Sequence, residues 1–202
     1  MPHQFEMSGG ALCLDFVNTL DDRPSDEPKE LLRSYGEFAH FAQQSGIIDT
    51  GQMERLLQLS NASPGDAGRA LRKAIRLREA TNAVFEAVVR KRPVPQGAMV
   101  TLNEFVQEAA QHSRIVPGRT QFQWRMDDAA DDLESPIWPM VRSAADLLAS
   151  KHLQYVRACS SKTCQWLFVD TSKNHRRRWC DMRLCGNRAK SRRFYNRQIQ
   201  SV

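Results

Sequence analysis

Along most of the first 150 positions apolar residues recur every three or four, with turn signals between the segments, so this part of the chain is read as mainly helical. "GGALCLDFVNTLDD" sets Leu12, Phe16 and Leu20 on one helical stripe and Asp15, Asn18, Thr19 and Asp22 on another. "PKELLRSYGEFAHFAQQSG" gives a stripe of Leu31, Tyr35, Phe38 and Ala42 with Gly46 as the stop, and a short helix follows in "TGQMERLLQLS". The longest helix is expected to open with Ser63 as cap and Pro64 in its first turn, and to run to about Arg92. It buries Leu71, Ala74, Leu77, Thr81, Val84 and Val88. "RPVPQG" interrupts, and "AMVTLNEFVQEAAQHS" resumes with Val100, Leu102, Phe105 and Ala109 or Ala110 inward. The period then changes: in "RIVPGRTQFQWRM" Phe122 and Trp124 alternate with polar neighbours around Pro117-Gly118, which predicts a hairpin. "SPIWPMVRSAADLLAS" returns to helix with Trp138, Val141, Ala145 and Leu148 inward. Beyond Ser150, "LQYVRAC" and "QWLFVD" are short strand candidates and "GNRAKSRRFYNRQ" is a terminal helix. The fold class is therefore mainly α with small hairpins.

Length and charge divide this picture in two. A chain of 202 residues with 41% hydrophobic content can bury a sizeable core and carry a small appended module. Residues 151–202 hold 13 Lys and Arg against Asp170 and Asp181, a net +11, whereas residues 1–150 carry a net −5. Two domains are expected, a helical body over 1–150 and a basic module over 151–202. A basic module on an acidic body is suited to a polyanion, because lysine and arginine that neutralise phosphates release condensed counterions. No apolar run reaches the ~18 residues of a membrane span, and "MPHQFEMSGG" lacks the basic start and apolar centre of an export signal; the expected location is the cytoplasm, with no membrane partner.

Four of the five cysteines lie in the basic module as Cys159-x4-Cys164-x15-Cys180-x4-Cys185. Two equal pairs across a loop-sized spacer can supply the four thiolates of one closed, structural Zn²⁺ shell. Two disulfides or four unrelated thiols are the alternatives, disfavoured without an export signal. Metal also accounts for folding, since so charged a segment has little apolar surface to bury beyond Trp166, Phe168, Trp179, Phe194 and Tyr195. Cys13 reads as a small buried hydrophobe.

"CSSKTCQWLFVDTSKNHRRRWCDMRLCGNRAKSRRFYNRQ" resembles the CGNR zinc finger, whose name stands here as Cys185, Gly186, Asn187 and Arg188. "GGALCLDFVNTL" and "SPIWPMVRSAADLLAS" are similar to the ABATE domain that accompanies this finger. The resemblance implies a bacterial transcription regulator, with one zinc ion on Cys159, Cys164, Cys180 and Cys185, a finger that binds DNA, and a larger domain that senses a small molecule or a protein partner.

With Cys185 at the start of the terminal helix, the metal would fix that helix against the preceding hairpin, a treble-clef-like arrangement. Arg188 and Arg192 then fall four apart on one side, Arg193 and Arg197 on an adjoining side, and Lys190 between. Arg176, Arg177 and Arg178 precede Cys180 in a loop suited to phosphates. A solvated helix that pairs with the acidic body is the plainer reading of the same charges. In the body, Asp15, Asn18 and Thr19 are candidate ligand-binding residues. Other classes compete with DNA binding: RNA binding, in which exposed Trp166, Phe194 or Tyr195 would stack on bases, and a metal-dependent nuclease using His175. No carboxylate cluster accompanies His175, so the chain is read as no enzyme. Dimerisation through the body is an expectation, since one finger contacts few base pairs.

Overall fold

The computed structural model describes residues 3–126 and 132–191. Arg192, Arg193, Phe194, Tyr195, Arg197 and the rest of the segment expected as a terminal helix lie outside the described residues.

Most of the helical body follows the periodicity, but the segment from Pro28 does not enter helix until Tyr35, because Lys29–Glu30 is a strand and Leu31 lies outside the helix. Helix α2 (Tyr35–Gln44) is capped by Ser34, whose side chain accepts the Glu37 N–H, and α3 (Thr50–Ala62) opens with a reciprocal capping box between Asp49 and Gln52. α4 (Pro64–Val89) is the long central helix, with Pro64 in its first turn as expected. Ser63 does not cap it through its hydroxyl. It is shared between two helices, its N–H closing α3 on Leu59 and its carbonyl accepting the Ala67 N–H that starts α4. α5 (Gln96–Gln111) buries Leu102, Phe105 and Ala109, while Val100 is exposed. The hairpin β3 (Ser113–Pro117) and β4 (Phe122–Met126) pairs Ile115 with Trp124 across the turn. α6 (Ile137–Leu148) buries Ile137, Trp138, Met140, Val141, Ala144 and Leu147; Trp138 and Val141 are where expected, and Ala144 and Leu147 take the places expected for Ala145 and Leu148.

The first segment departs most from its prediction. α1 stops at Val17 after starting at Leu12, and Leu20–Asp21 (β1) pairs instead with Lys29–Glu30 (β2). The helix ends at Asn18 and Thr19, two polar residues with partners outside it. The Thr19 hydroxyl donates to the Phe16 carbonyl at 2.7 Å and accepts from Arg78 at 3.2 Å. Arg78 is only 2% exposed, and grips both oxygens of Glu30 at 2.7 and 2.6 Å while its Nε bonds Glu79. Glu79 is in turn held by Arg23. A buried guanidinium is tolerable only when its donors are matched, and this fork satisfies them while fixing β2 against α4.

The basic module is not a separate bead. After a tight turn over Lys151–Tyr155, β5 (Val156–Ala158) and β6 (Leu167–Val169) form an antiparallel pair. All three residues of β6 are buried, and the period of two divides them: Leu167 and Val169 join the body's core, whereas Phe168 and the preceding Trp166 join the cysteines. The outer edge of β6 is completed by the start of the chain. Asn18 Nδ2 donates to the Leu167 carbonyl at 2.9 Å, the Leu167 N–H donates to Asn18 Oδ1 at 3.0 Å, and the Val169 N–H donates to the Gly9 carbonyl at 2.8 Å. Gly9 is needed there because a Cβ would lie 2.9 Å from the Asp15 backbone nitrogen, and Gly10 takes a left-handed φ of +73° against Val169.

Asn18→Ala would strand two buried backbone groups of β6 at once. We expect a loss of about 2–4 kcal/mol, seen as a fall of roughly 5–10 °C in thermal midpoint by circular dichroism. An unchanged midpoint would refute the clamp.

Candidate metal centre and basic surface

The four cysteines reach one point from two kinds of local structure. Cys159 continues the hairpin, its N–H bonded to the Trp166 carbonyl at 2.8 Å, and Cys164 closes the turn on Ser161. Gln165, at φ 55°, swings the chain back toward β6. Cys180 precedes Asp181, whose carboxylate accepts the N–H groups of Arg183 and Leu184 and so starts the helical turn Met182–Gly186 that carries Cys185. Residues 187–191 continue as helix. Asn187 is exposed and makes no side-chain hydrogen bond among the described residues; Asp181 performs the capping instead.

The resulting thiols are free, buried and within 4.8 Å of one another. Cys164 and Cys180 have sulfurs 3.6 Å apart, and Cys180 and Cys185 3.7 Å apart. A tetrahedron of thiolates about 2.3 Å from zinc has edges of about 3.8 Å, so this donor set fits one closed site with no open position. Cysteines 159, 164, 180 and 185 therefore form a single structural zinc site. Hydrogen bonds from Cys164 and Cys180 hold Cys159 below a thiol's ordinary value, and the same contacts push Cys164 and Cys180 up. Four thiolates this close need a cation, which takes the place of their protons.

Residues 10–151, well over half of the chain, match the ABATE family, described as "Putative stress-induced transcription regulator", and residues 155–198 match the CGNR zinc finger. The chain belongs to the ABATE family. No curated protein matches it. The two matches meet between residues 151 and 155, although the packing of the ABATE body and the CGNR finger is continuous there through Tyr155, Val156 and β6. Among the described residues no helix is long and apolar enough to cross a membrane.

The cationic residues of the finger separate by environment. Arg176, Arg178, Arg188 and Lys190 are exposed, whereas Arg177 is half-buried over the Phe168 ring at 4.6 Å, with Nε donating to the Trp179 carbonyl. Arg183, outside the expected basic set, is exposed and pairs with Asp181. Among the described residues, no lysine or arginine of the finger forms an ion pair with an acid of the body. The His175 ring is stacked on Tyr155 at 3.8 Å and its Nδ1–H donates to the Asp170 carbonyl. Trp166 is buried beside the cysteines.

The three polar candidates of the ABATE body all have internal partners: Asn18 on β6, Thr19 on Arg78, and Asp15 through the Gly9 N–H at 2.7 Å. Burial pushes the Asp15 carboxyl up to about 6, against the opposing Gly9 bond. Arg78 and Glu30 were missed as a pair. The signal was present, because Arg78 stands four after Ala74 and three before Thr81, on the buried face of α4.

Two measurements follow. The full chain should bind one zinc per molecule, lose it as acid protonates the thiolates, and on chelation show a lower midpoint for the whole molecule, since β6 serves both cores. Zinc-free protein with an unaltered melt would contradict this. Asp15 has a folded pKa above its ordinary 3.8, so its contribution to stability is complete below about pH 4 and is lost as pH rises through about 6. Asp15→Asn should remove that part of the pH dependence in denaturant titrations, and identical profiles would reject it.

Proposed function

We propose that the chain is a DNA-binding transcription regulator in which the zinc-held finger presents its basic surface to the phosphate backbone. The family description supports a regulator. The observation that carries the DNA reading is the exposed set Arg176, Arg178, Arg188 and Lys190, which the acidic body leaves without ion-pair partners among the described residues. The body carries a net −5 and could have drawn these cations in. It holds the finger through the Asn18 and Arg90 side chains, backbone bonds and apolar contacts instead, which keeps the charge available to a polyanion. Cys185 lies in the turn that leads directly into the helical residues 187–191, so the metal would hold the start of a helix bearing Arg188 and Lys190; Arg192, Arg193 and Arg197, which follow in the sequence, belong to the same proposed basic surface.

The competing readings have less support. Trp166 packs inward, which removes one of the three bases for RNA stacking, and the ring of His175 is occupied by Tyr155 and Asp170. The sensing role of the body is part of the same proposal, with Asp15, Asn18 and Thr19 as residues through which an effector would have to compete with existing internal bonds.

Zinc-loaded protein should bind duplex DNA with an affinity that falls steeply with salt. About five phosphate contacts give a log-log slope near −4.5 between 50 and 200 mM salt. A flat response, or no binding at low salt, would reject the proposal.

A further inference from the structure

The loop between β6 and Cys180 contains Lys173, His175 and the three consecutive arginines 176–178, a density of like charge that would ordinarily repel itself into disorder. It is instead built around one buried carboxylate. Asp170 accepts the Ser172 N–H at 3.0 Å and the Ser172 hydroxyl at 2.6 Å on one oxygen, and the Arg177 N–H at 2.8 Å on the other. Its own N–H donates to the Tyr155 carbonyl at 2.9 Å, and its carbonyl accepts from His175. Burial alone would raise its pKa, but these bonds hold the carboxyl below its ordinary value. His175, at φ 47°, turns the chain in a left-handed step that the Tyr155 stack holds in place. Downstream, the Arg178 carbonyl accepts the Ser160 N–H, which ties the loop to the zinc hairpin.

Within this frame the arginine triplet is divided. The middle side chain lies inward on Phe168 and bonds Trp179; its neighbours point to solvent, with Arg178 5.4 Å from the Trp179 ring. We propose that residues 170–178 form a preorganised phosphate-binding loop in which Arg176 and Arg178 are the contacts, Arg177 is an internal pin, and Asp170 with Ser172 are positioning residues. The partner is the phosphate backbone of duplex DNA, and the inference rests on the DNA-binding reading above. A loop already ordered before contact forfeits little conformational entropy on binding, which is why a carboxylate is useful beneath a cationic surface.

Salt titrations of zinc-loaded full-length protein on a fluorescent duplex test each part. Arg176→Ala and Arg178→Ala should each flatten the log-log slope by about 0.9, one phosphate contact apiece, and Arg176→Lys should restore it. Arg177→Ala should leave the slope unchanged. Ser172→Ala should weaken binding about 5-fold at every salt concentration with the wild-type slope, because the same phosphates are met by a looser loop. Wild-type slopes in both Arg176→Ala and Arg178→Ala, in a chain that does bind, would overturn this inference alone. So would an Arg177→Ala slope as flat as theirs. Absence of binding by the wild type would overturn the DNA reading and this inference with it. Zinc content and thermal midpoint identify any variant that has lost its fold, and the Arg176 and Arg178 variants, altered only at exposed side chains, remain decisive if Arg177→Ala is one of them.

Discussion

The described part of the finger hangs on β6 having two insides. A three-residue strand with one partner strand is too small to be stable alone, and its free edge would expose unpaired backbone groups. Here Leu167 and Val169 enter the helical core, Phe168 enters the zinc core, and the edge is sealed by Asn18 and Gly9 from the other end of the chain. The contacts that seal it are neutral hydrogen bonds, whose strength does not depend on salt as that of surface ion pairs does. The body can therefore hold a strongly basic finger firmly without covering its charge.

Zinc and apolar packing act on the same strand from opposite faces, so neither supports the finger independently. Cys159 and Cys164, at either end of the hairpin turn, would be held by zinc onto Cys180 and Cys185; that grouping fixes Trp166 and Phe168, and through the strand's alternation Leu167 and Val169 as well. The family boundary near residue 151 is a boundary of sequence pattern. In energetic terms the finger continues into α1.

Much of this was legible in the sequence, for identifiable reasons. Helices α3 to α6, the Pro117-Gly118 hairpin and the cysteine quartet are governed by local rules of periodicity, turn residues and ligand spacing, and they emerged close to where expected, whereas α2 begins only at Tyr35 because Lys29–Glu30 is taken by β2. The largest departure has a distant cause. Asn18 and Thr19 were grouped as a polar helical face because their spacing fits one, but their partners, Leu167 and Arg78, are 149 and 59 residues away and lie outside the helix, which ends at this pair. Arg176, Arg177 and Arg178 were likewise indistinguishable as letters; what separates the middle one is Phe168 beneath it and Asp170 bonded to its backbone. Local pattern predicts elements well, and it says little about which polar group will be claimed from a distance.

Those distant claims join into one connected set of bonds. Arg23 and Arg78 hold Glu79; Arg78 also holds Glu30 and Thr19; Thr19 bonds Phe16 at the end of α1; the neighbouring Asn18 holds β6, which the zinc cysteines flank. Each member is buried or partly so, where an unmatched partner is costly, and a shift of α4 relative to β2 would therefore be felt at α1 before it could be absorbed by solvent. Contiguity of this kind is the physical means by which a helical body could alter the set of a basic finger, and it requires only that the network have a second arrangement which a bound partner stabilises.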